Sequence, residues 1–225
     1  MFLPLDDDAP THRLFRPHAT WAFVGLCVAV FLLFQSGIVL DLEPEFSLGY
    51  GLIPQVFAGN AELSEYIGHA PTLLTPLTSM FLHGNWMHLI GNMLFVWIFA
   101  DNVEEAFGTR RFVAFYLVAG AAAGLAYAAL DRQSSSPLIG ASGAVSAVLG
   151  AYLVLYPNVK VFGLALNVIP LRVPAFWFIA AWFVLQVGHA LFDPNRSVAW
   201  VAHISGLIFG AAAVLALRIR PVHHR

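Results

Sequence analysis

Six runs of about twenty mostly apolar residues divide this chain of 225 residues, each suited to cross the roughly 30 Å hydrocarbon core of a bilayer as a helix. They are Trp21–Leu40, Trp86–Phe107, Phe112–Leu130, Gly140–Tyr156, Val173–Phe192 and Val198–Leu217, of which the fourth is the shortest. The composition agrees: 59% of residues are apolar and 11% charged, against about 25% charged in ordinary soluble domains. The expected fold is an all-α integral membrane protein, a bundle of six transmembrane helices over residues 20–217. A short cytoplasmic segment, 1–19, precedes it and a cytoplasmic tail, 218–225, follows.

Basic residues set the orientation. With the N-terminus inside, the inner segments hold Arg13, Arg16, Arg110, Arg111, Lys160, Arg172, Arg218, Arg220 and Arg225, and the outer loops only Arg132 and Arg196. Nine of the eleven cations then lie inside, which is the bias of cytoplasmic loops. The first outer loop, 41–85, has neither Lys nor Arg and is rich in Pro and apolar residues, as in PTLLTPLTSMFLHG. A loop of that length and character is expected to lie against the bilayer or the bundle and to be functional. The expected location is a prokaryotic plasma membrane.

The remaining bounds are brief. A net charge of −2 with no basic run excludes nucleic-acid binding. The single cysteine, Cys27, excludes an internal disulfide and reads as a small buried residue. The N-terminal MFLPLDDDAPTHRLFRPHAT, with three consecutive aspartates, does not have the pattern of a signal peptide.

Polar residues inside spanning helices are costly and therefore functional candidates. Three segments carry them. The second contains HGNWMHLIGNMLF, with His83 at its approach and His88 and Asn92 within it; the fourth contains GASGAVSAVLG, with Ser142 and Ser146; the sixth contains AHISGLIFG, with His203 and Ser205. All three segments run from outside to inside, with the polar groups in their first turns. At about 1.5 Å rise per residue, Asn92 and His203 lie roughly 9 and 7 Å below their segment starts. His88 and Asn92, four apart, share a face, as do His203, Gly206 and Gly210. The Gly206-x-x-x-Gly210 spacing permits close helix packing in lipid, with the fourth segment the expected partner.

Each residue alone has an ordinary explanation. Ser142 could bond its own helix, and either histidine could be a satisfied interior side chain. Those explanations do not account for one depth on three co-directional helices. Ser146, Ser205 and Gly150 read as packing residues, His69, His189, His223 and His224 as uninvolved, and His83 as lying near the mouth of the cluster. A metal site is disfavoured, because the chain has no HExxH, no cysteine pair and no carboxylate at this depth. GASGA is not the GxSxG elbow of soluble hydrolases. Asp101, Glu104 and Glu105 lie at the far end of the second segment, and Asp131 and Asp193 in outer loops, so a Ser–His dyad remains rather than a triad.

The set HGNWMHLIGNMLF, EEAFGTRRFVAFYLVAG, GASGAVSAVLG and AHISGLIFG, in this order across residues 72–210, resembles the rhomboid intramembrane serine proteases. The resemblance implies that Ser142 is the nucleophile and His203 the general base, and that His88 and Asn92 help hold the oxyanion. It implies substrates that are membrane-spanning helices, cut near or within the membrane, and no metal or organic cofactor. A second function class is a catalytically silent rhomboid-like protein that binds transmembrane helices, but such relatives typically lack the serine or the histidine; a third, a transporter, is disfavoured because no charged residue lies at mid-membrane. Two departures are visible. Many relatives carry an aromatic residue where Ser146 stands, and a Trp-Arg pair in the first outer loop, which has no Arg and no Trp before Trp86. The fifth segment is bulky, with Phe176, Trp177, Phe178, Trp182 and Phe183, and reads as a loosely held gate.

Overall fold

The structure is a computed structural model that describes residues 2–9, 15–40, 42–165, 168–192 and 200–222. Arg13, Asp193, Arg196, the expected start of the sixth segment at Val198, and His223, His224 and Arg225 lie outside the described residues.

The chain is mostly helical. Strand β1 (Phe2–Asp7) precedes α1 (His18–Val30), which continues as a π-helical turn to Gln35. The long loop carries the short helices α2 (Glu45–Tyr50), α3 (Pro54–Phe57) and α4 (Thr75–Thr78). Next come α5 (Trp86–Phe107), α6 (Thr109–Leu130) and α7 (Ser142–Leu155), strands β2 (Lys160–Ala165) and β3 (Ile169–Pro174), then α8 (Ala175–Phe192) and α9 (Trp200–Leu217). Among the described residues, three helices are long and apolar enough to cross a membrane: His18–Gln35, α6 and α9. Ser142–Leu155 and Ala175–His189 are apolar but shorter.

Local chemistry sets the boundaries that matter. The Asn85 side chain accepts from the His88 N–H at 2.9 Å and caps α5, satisfying a donor that a helix start leaves unpaired. That cap puts His88 in the first turn and Asn92 one turn deeper. Gly108, at φ +76°, makes the tight turn from α5 to α6 in a conformation that favours glycine. At the end of α5, buried Glu104 accepts from the Ala19 and Thr20 N–H groups and both threonine hydroxyls, of Thr20 and Thr109, at 2.8–3.1 Å. One carboxylate thus caps α1 and ties α1, α5 and α6 together.

α7 is the centre of the bundle. It has 14 residues, of which 11 are buried, and its roughly 1.5 Å rise per residue makes it shorter than a bilayer core. Its glycine faces meet α9 without intervening side chains. A Cβ on Gly206 would collide with the Gly143 carbonyl oxygen, one on Gly210 with that of Ala147, and one on Gly150 with that of Leu207. The expected partnership of the fourth and sixth segments is therefore present, as small-residue packing in lipid requires. Aromatic pairs fill the wider gaps, including Phe23 on Tyr116 at 4.1 Å and Phe99 on Phe178 at 5.9 Å between ring centroids.

The loop between α1 and α5 packs on the bundle. Leu52, Ile53, Met80 and Leu82 are buried, and Leu52 pairs through both backbone groups with Leu138 at 2.8 and 3.0 Å. In place of a Trp-Arg pair, Gln35 anchors the loop. Its amide donates to Glu43 at 2.6 Å and Ser47 at 3.3 Å and accepts from the His83 N–H at 3.0 Å.

The all-α expectation needs one correction. β1, β2 and β3 form a three-stranded antiparallel sheet at one end of the bundle. It joins the N-terminal segment to the α7–α8 connection. Asp7 of β1 accepts from the Tyr152 hydroxyl at 2.7 Å and the Asn102 amide at 3.3 Å, and burial pushes its carboxyl above the usual range. Asp8 pairs with Arg172 of β3. The short strands carry too little alternation to stand out from a membrane-protein loop. Because Tyr156 at the end of α7 also accepts from Val222 N–H, the N-terminal segment, the ends of α5 and α7 and the C-terminal segment lie at the same end.

Candidate active site

At the opposite end, the first turns of α5, α7 and α9 converge. Gly140, at φ +114°, lets the chain turn into α7 so that Ser142 is its first residue. The segment before it is held by Leu138 on Leu52 and by Gly140 N–H donating to the Ser79 carbonyl at 2.9 Å. Ser142 Oγ and His203 Nε2 are 2.8 Å apart. Both line a cavity of about 630 Å³ together with His88, Asn92, Tyr127, Trp182 and Gln186.

The four expected site residues are thus brought together. His88 lies against Gly140, where a Cβ would sit 2.6 Å from His88 Nε2 and 3.7 Å from Asn92 Nδ2. Asn92 is buried, and one of its amide hydrogens is donated to the His88 carbonyl at 3.1 Å, leaving the second for the cavity. The first N–H groups of α7 lack intrahelical partners, as at any helix start, and the helix dipole there favours negative charge. The arrangement can therefore accept a proton at His203 Nε2 and hold an anion near Ser142.

The other assignments fall out as follows. Ser146 donates to the Ser142 carbonyl at 2.6 Å and Ser205 to the Val201 carbonyl at 2.8 Å, both within their own helices. His69 is exposed, with Nδ1 2.9 Å from the Ile67 carbonyl. His83 is not at the mouth. It is fully buried behind His88, ring centroids 5.1 Å apart, with neither ring nitrogen hydrogen-bonded. Burial, with His88 as a second cause, lowers its pKa to about 3. His189 stacks on Trp200 at 4.6 Å, and Trp200 meets the His203 ring edge-on at 5.8 Å. Cys27 is buried. Among the described residues no three His, Cys, Asp or Glu side chains gather as a metal site.

Sequence reasoning missed what α8 contributes. Gln186 Oε1 lies 2.7 Å from His203 Nδ1, and the Trp182 ring lies 6.1 Å from the imidazole. Ser146 presents no ring to His203 from α7, whereas α8 presents Trp182. The available signal was a polar glutamine inside an apolar run, which is costly without a partner.

Comparison with known proteins covers most of the chain. The Rhomboid domain family model matches residues 71–220. The chain is 28% identical over 218 residues to a mitochondrial rhomboid protein 1 of Saccharomyces cerevisiae, covering 92% of this chain and 56% of that protein. It is 26% identical over 194 residues to the rhomboid protease GlpG of Klebsiella pneumoniae, covering 86% and 60%. Against the rhomboid protease GluP of Bacillus subtilis it is 31% identical over 206 residues, covering 90% and 35%. The chain thus spans between a third and three fifths of these relatives' lengths. With a family model matched across the helices that build the cavity, the chain belongs to the rhomboid family.

Proposed function

We propose that the protein is an intramembrane serine endopeptidase that hydrolyses a peptide bond in or near the transmembrane segments of other membrane proteins. The observation that carries this reading is the 2.8 Å approach of Ser142 Oγ to His203 Nε2 within a cavity that also holds His88 and Asn92. Two of the similar proteins are named rhomboid proteases.

In this reading His203 Nε2 takes the Ser142 proton as Oγ attacks the scissile carbonyl carbon, which makes a poor nucleophile a competent one. The carbonyl oxygen becomes an oxyanion, held by the Ser142 N–H, the His88 ring N–H and the second Asn92 amide hydrogen. Each donor of this kind is worth about 10²–10³ in rate. The protonated His203 then gives its proton to the leaving amine, and the C–N bond breaks to leave an ester on Ser142. A water molecule, deprotonated by His203, attacks the ester carbonyl carbon; the C–Oγ bond then breaks, Ser142 Oγ takes the proton back from His203, and the carboxyl product leaves. The chemistry uses no cofactor.

The chain would cross the membrane six times, through α1 with its π turn, α5, α6, α7, α8 and α9, as a membrane domain over residues 20–217. Both termini would be cytoplasmic. The ends that the sheet, Glu104 and Tyr156 gather on one side also carry seven of the eight Lys and Arg among the described residues, which supports that side as the inner one. The cavity then opens to the outer face of what we infer is a prokaryotic plasma membrane. Cleavage of a transmembrane substrate in liposomes tests the reading. Ser142→Ala and His203→Ala should each abolish it while leaving the thermal unfolding midpoint near wild type. Persistent cleavage by Ser142→Ala would overturn it.

A further inference from the structure

Resting on that reading of Ser142 and His203, we propose that Gln186 is the positioning residue of the base: its side-chain carbonyl accepts the His203 Nδ1–H and fixes the imidazole tautomer. In a neutral imidazole one nitrogen carries the hydrogen and the other the lone pair. With Gln186 Oε1 2.7 Å from Nδ1 and Ser142 Oγ 2.8 Å from Nε2, a hydrogen on Nδ1 leaves the Nε2 lone pair aimed at the serine hydroxyl. The reverse arrangement, with the amide NH2 donating to Nδ1, would put the hydrogen on Nε2 and leave no base facing Ser142.

Among the described residues, the surroundings give no other candidate for this task. Gln186 is buried, so its amide oxygen needs a donor. The described lining of the cavity contains no Asp, Glu, Lys or Arg. The titratable groups around His203 are His88 from α5, Tyr127 from α6 and Ser142 from α7, with His189 of α8 behind Trp200. The Ser146 hydroxyl is committed to the Ser142 carbonyl. Trp182 and Trp200 bound the ring plane, and Gln186 bounds its edge. A neutral acceptor orients the imidazole without adding the charge that would favour imidazolium.

The test uses the whole protein in liposomes, with kcat, KM and pH profiles for wild type, Gln186→Leu, Gln186→Glu and Ser142→Ala. General-base catalysis contributes about 10²–10⁴ in rate, so loss of the tautomer preference should lower kcat by about 10–100-fold with KM unchanged. Gln186→Glu restores an acceptor of the same length but adds a negative charge. It should recover most of the kcat at alkaline pH, with the acidic limb of the profile moved up by about 1 unit or more, because the carboxylate favours imidazolium. Wild-type kcat and pH profile in Gln186→Leu would overturn the proposal. So would a Gln186→Glu variant as impaired as Gln186→Leu at every pH, since packing would then be the only role. Cleavage by Ser142→Ala would instead overturn the reading of the dyad itself.

Discussion

Gly206 of α9 rests on the carbonyl oxygen of Gly143 of α7, with no room for a Cβ between them. That contact lies one residue beyond Ser142 and one turn beyond His203, so it sets the separation of the two reacting side chains. Gly206→Ala must force the helices apart or rotate one of them. A misplacement of about 1 Å at a catalytic pair costs roughly 10²-fold. We expect kcat/KM to fall by that order and the unfolding midpoint to drop. Wild-type cleavage in Gly206→Ala would show that the approach does not depend on this contact.

Gly140 and His88 form a second such pair. A Cβ at Gly140 would lie 2.6 Å from His88 Nε2, on a backbone at φ +114° that L side chains rarely adopt. Gly140→Ala should displace the His88 ring and lower kcat by about 10²–10³-fold, the effect of losing one oxyanion donor. Groups acting through one interaction are not additive. The Gly140→Ala/His88→Ala double variant should therefore be no slower than the slower single variant, and a full product of the two losses would contradict the account.

Glu104 serves the fold rather than the chemistry. Glu104→Ala strands two buried N–H groups and two hydroxyls. Hydrogen bonds to a charged group contribute about 1.5–3 kcal/mol each, so the loss should be about 3 kcal/mol or more. Reversible unfolding in detergent measures it. The variant that still folds should keep a wild-type KM, because the site is at the other end of α5.

His83 makes stability depend on pH. Burial and the neighbouring His88 hold its pKa at about 3 in the folded chain, against about 6.5 when unfolded. Its contribution is therefore present above pH 6.5 and is lost as pH falls towards 3, since the unfolded chain binds the proton first. The unfolding midpoint should drop between pH 7 and pH 5, and His83→Gln should flatten that dependence. An unchanged slope in His83→Gln would assign it to other groups.

The helical bundle was legible because lipid imposes length and apolarity on a spanning segment, and the candidate site because Ser142, His88, Asn92 and His203 all fall in the first turns of apolar segments. The glycine spacing of α9 named its partner correctly for the same reason, since close backbone approach leaves a periodic trace. The sheet left no such trace: β1, β2 and β3 are six residues each, and the pairing of β1 with β2 joins residues more than 150 positions apart. Gln186 was passed over because a single glutamine among aromatic residues has no periodicity, and its partner is 17 residues away across a connection. His83 was misplaced because proximity in sequence to His88 does not reveal which side of the ring faces the cavity.

Activation of Ser142 as a nucleophile by His203 can be read chemically. The most direct measurement is mass-spectrometric mapping of the adduct formed by a fluorophosphonate probe on the folded protein in liposomes. The account predicts one adduct, on Ser142, lost in His203→Ala and absent from unfolded protein. Folded wild-type protein that stays unmodified, or that is modified on Ser146 or Ser205 instead, would contradict it.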